Sequence, residues 1–344
     1  MAETLVNVGI IGAGFISAYH IRGLQEAGAR VGAVAGRTLE SATRRAREFG
    51  IPHGTNDYHE ILNDPAIDAV VIATPDYLHM THAIDALRAG KATLLQKPMA
   101  RNSEECSQIL RVAGETGTPL YVSFMHRYLE EVELLRDLLG AGALGAVHAV
   151  RQRNATPGAD WAGWFYRKEN VGGGVLLQLG VHGIDLLQHI FGAIESVRAT
   201  TALMRPERTL ADGTVVHPDA EDLVIATYRF RSGMLATHDC SYGEVAGTDR
   251  FRMEVYGDSG TAMLRTARGR LALFAPDYVG HRGWFVPEIR TERIGYRQHR
   301  HWLDMLLGVA EPDNSAVDGL ASIRVAEAVY RAAETGTSEE VIST

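Results

Sequence analysis

The chain has 344 residues, 46% of them hydrophobic and 22% charged, with a formal net charge of −8. That is the mixture of an ordinary globular protein, and its length suggests about two domains. No apolar run approaches the ~20 residues of a bilayer span, no basic block offers itself to nucleic acid, and Cys106 and Cys240 lack metal-type or redox-type spacing. The N-terminal residues lack the basic flank and cleavage pattern of a secretory signal. A cytoplasmic protein without disulfides, without metal and without membrane or nucleic-acid partners is expected.

Asn7 to Ile11 is a short apolar run without polar alternation, the pattern of a strand buried on both faces. It runs into Gly12-Ala13-Gly14-Phe15-Ile16-Ser17, and then into a segment where Ile16, His20, Ile21 and Leu24 share a helical face. Strands follow at Arg30 to Ala35, Ala69 to Ala73, Ala92 to Leu95 and Leu120 to Phe124. Helices at Leu39 to Phe49, Leu78 to Ala89 and Ser103 to Thr116 separate them. Strands alternating with helices of this length predict a parallel, doubly wound sheet over residues 1–124. Beyond it, over 125–344, the strand-like runs are Val147 to Arg153, Val197 to Met204, Leu223 to Phe230, Met234 to Cys240, Arg250 to Gly257 and Gly260 to Leu264. Tight turns such as Arg231-Ser232-Gly233 join some of them, which predicts an α+β domain with hairpins.

Between a strand and a helix, the glycines acquire a mechanism. Gly12 permits the turn out of the first strand, and Gly14 lets a pyrophosphate approach the backbone at the helix N-terminus. Ser17 stands where the dinucleotide fingerprint has its third glycine. The second strand ends Ala35-Gly36-Arg37-Thr38, without the acid that would hold a ribose 2′-hydroxyl. Arg37 and Thr38, with Arg44 or Arg45 from the next helix, can answer a 2′-phosphate. The expectation is NADP(H) in preference to NAD(H), the alternative being that Arg37 simply faces solvent.

Four separate stretches together resemble the glucose–fructose oxidoreductase/inositol dehydrogenase/MocA family. They are Ala73-Thr74-Pro75-Asp76-Tyr77-Leu78-His79, then Leu95-Gln96-Lys97-Pro98, then Trp164-Phe165-Tyr166 with the run Gly172 to Asp185, and Ala220-Glu221-Asp222. The resemblance implies a Rossmann domain followed by an open, mainly antiparallel sheet, substrates such as sugars, aminosugars or cyclitols, and a homodimer or homotetramer formed through that sheet. The candidate cofactor contacts are Gly12, Gly14, Phe15 and Ile16 at the first turn and Arg37 and Thr38 at the second strand. Thr74, Pro75 and His79 after the third strand, with Gln96 and Lys97, complete the set.

Hydride transfer from a carbinol needs a group that takes the hydroxyl proton. Lys97 follows a strand at the carboxyl edge of the sheet and matches the family's catalytic lysine; read without the resemblance, it is equally an ordinary surface charge. His182 lies four residues after Gln178, so a helix points both the same way. His182 matches the family's catalytic histidine, although a lone helical histidine is commonly a packing residue. Asp185 either orients its imidazole or supports the helix. Arg127, Trp164 and Tyr166 are candidate substrate contacts, Trp161 and Trp164 being alternatively core residues. The chain departs from the family in having Gln178 for an aspartate and Gln96 for a glutamate. Losing those charges is expected to lower the titration of Lys97 and His182. The leading expectation is an NAD(P)-dependent dehydrogenase or ketoreductase. A redox-neutral enzyme that transiently oxidises a sugar, and a non-catalytic dinucleotide sensor, stay open.

Overall fold

The computed structural model describes residues 5–245, 249–289 and 294–342. The chain divides into two compact units, Met1–Tyr128 with Glu292–Leu320, and Leu129–Thr291 with Ala321–Thr344.

The first unit alternates strands and helices: β1 (Asn7–Ile11), α1 (Ser17–Glu26), β2 (Arg30–Ala35), α2 (Leu39–Phe49), β3 (His53–Thr55), α3 (Tyr58–Asn63), β4 (Ala69–Ile72), α4 (His79–Arg88), β5 (Ala92–Gln96), α5 (Ser103–Thr116) and β6 (Leu120–Ser123). The strands lie parallel in the order β3-β2-β1-β4-β5-β6. That is the doubly wound arrangement, in which strand order reverses between β1 and β4 and ligands bind beyond the carboxyl ends. Val8 and Ile10 of β1, Val34 of β2 and Val70 and Val71 of β4 are completely buried, as the unalternated apolar runs require. Two elements escaped the sequence reading: β3 is three residues long and α3 six, too short to show a period.

The second unit opens with α6 (Glu130–Gly140), β7 (Val147–Ala155), α7 (Lys168–Val171), α8 (Val181–Phe191) and β8 (Ile194–Ala202). The short pair β9 (Arg208–Thr209) and β10 (Val215–Val216) precedes β11 (Leu223–Phe230), β12 (Leu235–Ser241), β13 (Phe251–Gly257), β14 (Thr261–Thr266), β15 (Gly269–Phe274) and α9 (Pro276–Val279). Helix α10 (Ile294–Leu306) then returns to the first unit. Helix α11 (Ser315–Thr335) begins in the first unit and ends in the second, where β16 (Glu339–Glu340) follows.

The large sheet runs β15-β14-β13-β7-β12-β11-β8-β16 and is antiparallel except where β12 pairs with β7. Val224, Ala226, Tyr228 and Phe230 of β11 are buried while the residues between them are exposed, so one face carries the core and the other meets solvent. Strand β15 is not among the strand-like runs of the sequence, and Tyr296 to Trp302, which mix polar and aromatic groups, lie within α10. Trp302, Leu303 and Met305 of α10 complete the core that contains Val8, Ile10, Leu24 and Val34.

Candidate active site

The first unit presents three loops at the carboxyl ends of β1, β4 and β5. After β1, Gly12 adopts φ +115°, and a Cβ there would collide with the Ala73 carbonyl, so the turn admits only glycine. Gly14 is exposed with open space where a Cβ would stand, and α1 starts without a side-chain cap. An uncapped helix N-terminus beside an open glycine is the cradle a pyrophosphate needs, so the residues fit a dinucleotide. Ser17 is fully buried, and its hydroxyl donates to the Gly14 carbonyl at 2.6 Å. That bond is how serine is accommodated in the third glycine's place. Phe15 projects, 72% exposed, beside a half-buried Ile16.

The end of β2 does not assemble the phosphate pocket expected there. The Thr38 hydroxyl accepts from the Ser41 backbone at 3.2 Å and caps α2. Arg45 donates to the Gly14 carbonyl at 3.0 Å and pairs with Glu48 at 2.7 Å, while Arg44 faces Glu40 at 3.8 Å. Two of the neighbouring cations are therefore balanced by acids on their own helix, and exposed Arg37 stands beside a hydroxyl already engaged.

After β4, His79 spans two loops: Nδ1 contacts the Pro98 carbonyl at 2.8 Å and Nε2 the Thr74 carbonyl at 3.0 Å. It ties the Thr74-Pro75 turn to the segment that carries Lys97. The Thr74 hydroxyl meets His82 at 3.2 Å, and burial lowers the His82 imidazole to about 4. After β5, the Lys97 backbone N–H donates to Gln96 Oε1 at 2.7 Å, and the Lys97–Pro98 peptide is cis. Buried Arg127 donates to Asp318 at 2.8 Å and lies over the Phe124 ring.

In the second unit a continuous helical run carries Gln178, His182 and Asp185. Its first turn, Leu176–Gly180, is π-helical and leads straight into α8. Such turns concentrate at functional sites, and nothing in the hydrophobic period announces one. All three side chains are buried, at 6%, 5% and 1% exposure. The glycine-rich segment explains how the run is seated. Glu221 Oε1 accepts from the backbone of Gly174 at 3.0 Å and Leu176 at 3.1 Å, and from the Tyr330 hydroxyl at 3.0 Å. A Cβ on Gly174 would collide with the Glu221 carbonyl. Burial raises the Glu221 carboxyl while these donors hold it down.

The segment 157–166 is anchored by a residue the sequence reading missed. Arg208 donates to Asp222 at 3.0 Å and to the carbonyls of Tyr242 at 3.0 Å and Pro157 at 2.9 Å, and it lies over the Tyr166 ring. Tyr166 was expected to present its hydroxyl to substrate. Instead it donates to the Ala159 carbonyl at 2.6 Å and accepts from the Ala159 N–H, which makes it a loop anchor. Trp164 is half-buried and Trp161 48% exposed, their rings 5.7 Å apart. Glu221 and Asp222 belong to a stretch that carries the resemblance, but their pairing with Tyr330 and Arg208, 109 and 14 residues away, is shown only by the structure.

A parallel sheet with an open glycine turn at its switch point, followed by an open sheet under a glycine-seated helix, defines a dinucleotide-dependent oxidoreductase. Residues 6–124 match the oxidoreductase family's NAD-binding Rossmann fold, and residues 132–263 match the GFO/IDH/MocA C-terminal domain. The chain belongs to the GFO/IDH/MocA oxidoreductase family. It is similar to levoglucosan dehydrogenase of Pseudarthrobacter phenanthrenivorans, 28% identical over 81% of this chain and 79% of that one. It is also similar to inositol 2-dehydrogenase 2 of Saccharopolyspora erythraea, 29% identical over 98% and 95%. Among solved structures it superposes on a levoglucosan dehydrogenase complexed with NADH and L-sorbose, TM-score 0.90, 24% identical, covering 98% of this chain and 99% of that one. GenD2 from gentamicin A biosynthesis, in complex with NAD, gives TM-score 0.82 and 28% identity over 98% and 97%. The expected preference for NADP(H) is thereby corrected: these neighbours hold NADH and NAD, in agreement with the engaged Thr38 and the acid-balanced arginines.

Proposed function

We propose that the chain transfers a hydride between NAD(H) and a secondary alcohol or ketone of a sugar, aminosugar or cyclitol. Bound NAD⁺ supplies the hydride acceptor. Lys97 hydrogen-bonds the reacting oxygen and stabilises its developing charge, His182 exchanges the hydroxyl proton, and Gln178 binds a neighbouring hydroxyl. Asp185, three residues after His182, supports its orientation. The observation that carries the reading is the seating of the 176–191 run by Glu221 and Tyr330, which fixes Gln178, His182 and Asp185 on a single rigid helical segment. The levoglucosan and inositol dehydrogenases among its relatives support a polyhydroxylated ring as the substrate class.

The exposed sheet face supports a homodimer or homotetramer, with Ile225 58% and Leu235 49% exposed on neighbouring strands. Light scattering that returned a monomer mass would remove this. Two buried free cysteines suit the reducing cytoplasm.

The test is NAD⁺ reduction by purified protein against a panel of sugars, aminosugars and cyclitols, with Lys97→Met and His182→Ala as controls. Substrate-dependent reduction that each control lowers by about 100-fold or more is expected. Cofactor retained without net reduction across the panel would contradict a dehydrogenase and favour the redox-neutral reaction.

A further inference from the structure

Beneath Lys97, two buried histidines stand in line. Gln96 Nε2 lies 3.5 Å from His20 Nε2, His20 Nδ1 lies 2.9 Å from His299 Nε2, and His299 Nδ1 lies 2.6 Å from the Gly295 carbonyl. His20 and His299 are both completely buried. Their rings meet edge to face, 5.1 Å apart.

The ends of this line determine every proton in it. A carbonyl only accepts, so His299 must carry its proton on Nδ1, which leaves Nε2 as an acceptor. His20 therefore donates from Nδ1 and accepts at Nε2. At the other end the Lys97 N–H only donates, so the atom facing it is the Gln96 oxygen and the amide NH₂ faces His20. All four bonds run in one direction, with both imidazoles neutral. Burial agrees, pushing His20 well below its ordinary value and His299 to about 4. The Tyr19 phenol is the titratable group recorded against both rings, its centroid 5.2 Å from that of His20 and 5.5 Å from that of His299. Tyr19 donates to Gln298 at 2.7 Å, and burial raises its phenol.

We propose that His20 and His299 are positioning residues, a proton-ordered strut that fixes the Gln96 amide and through it the backbone of Lys97. The inference deepens the role proposed for Lys97 and rests on it. It also accounts for an amide at position 96. An ionised carboxylate there would still accept from Lys97 but would ask His20 for a proton on Nε2. Reversing the tautomers would leave His299 Nδ1 bare against the Gly295 carbonyl. A carboxyl at 96 therefore requires one additional proton among the three side chains, whereas Gln96 closes the line with none.

The test uses the full chain with NAD⁺ bound and histidines labelled with ¹⁵N. Ring nitrogen shifts should show His20 and His299 protonated on Nδ1 alone; a proton on Nε2 of either overturns the proposal. In turnover with a substrate from the panel, His299→Leu should lower kcat by about 10- to 100-fold with little change in KM for NAD⁺. His299→Gln, which keeps an acceptor followed by a donor, should recover most of it. Unchanged kcat in His299→Leu, where Lys97→Met is inactive, overturns the positioning role. Full turnover by Lys97→Met overturns the lysine's role itself, while the tautomers stay as measured. Should His299→Leu fail to fold, Gln96→Glu serves: the set should gain one proton at neutral pH, seen as an imidazolium or an undissociated carboxyl. An ionised Glu with two neutral imidazoles contradicts the strut.

Discussion

At position 178 an amide stands where the family's pattern has a carboxylate, four residues before His182 on the same helical run. A negative charge there would favour the protonated imidazole, so its removal shifts the proton-accepting form to lower pH. Gln178→Asp should therefore move the acidic limb of the kcat/KM profile to higher pH, by about one unit for a partner in a partly desolvated site. A profile that coincides with that of the natural chain would show that residue 178 does not face the titrating group. Position 96 obeys a different constraint, because its neighbours are two neutral histidines that an amide satisfies and a carboxylate does not. An amide thus has a different physical consequence at each of the two positions.

At the scale of the element, the glycine-rich stretch and α8 act as one device. Gly174 lies so close to Glu221 that no side chain fits, and its own N–H and that of Leu176 both donate to the Glu221 carboxylate. Gly174→Ala must push this contact apart and should cost about 1–3 kcal/mol, with kcat falling more than KM rises. Thermal unfolding and steady-state kinetics on that variant check it; a variant as stable and as active as the parent contradicts the seating. Much of this was legible in the sequence. The glycine turn is named by local pattern and the β-α alternation specifies the parallel sheet, whereas Lys97, Gln178 and His182 stand out only through the family resemblance. Arg208, Tyr330 and His299 were not legible in those roles, because each acquires its function from a partner many residues away. The cofactor expectation failed for a related reason. Arg37 and Thr38 read as phosphate ligands in isolation, but the structure engages Thr38 as the cap of α2 and balances the neighbouring arginines with Glu40 and Glu48.

For the molecule as a whole, buried neutral histidines set the acid limit. Burial lowers His238 to about 3, His82 and His299 to about 4, and His20 well below its ordinary value. Unfolded, each would titrate near ~6.5, so below that pH the unfolded chain binds protons that the folded one refuses. Their contribution is complete above about pH 6.5 and is lost progressively as pH falls below it, toward about 4 for His82 and His299 and toward about 3 for His238. Tm should be flat near neutrality and decline steadily below ~6.5, before most carboxylates titrate. A Tm that held constant down to about pH 5 would refute this.

Every role proposed for the site requires that this chain move a hydride to NAD⁺ under the control of Lys97. The direct measurement supplies a ring substrate deuterated at the reacting carbon and follows the label into NADH, for the natural chain and for Lys97→Met, with NAD⁺ affinity measured for both. Deuterium should arrive on the nicotinamide, and transfer should fall by about 100-fold or more in Lys97→Met while NAD⁺ affinity changes little. Equal transfer by the two proteins, or label released to water in place of the cofactor, would contradict the proposed function.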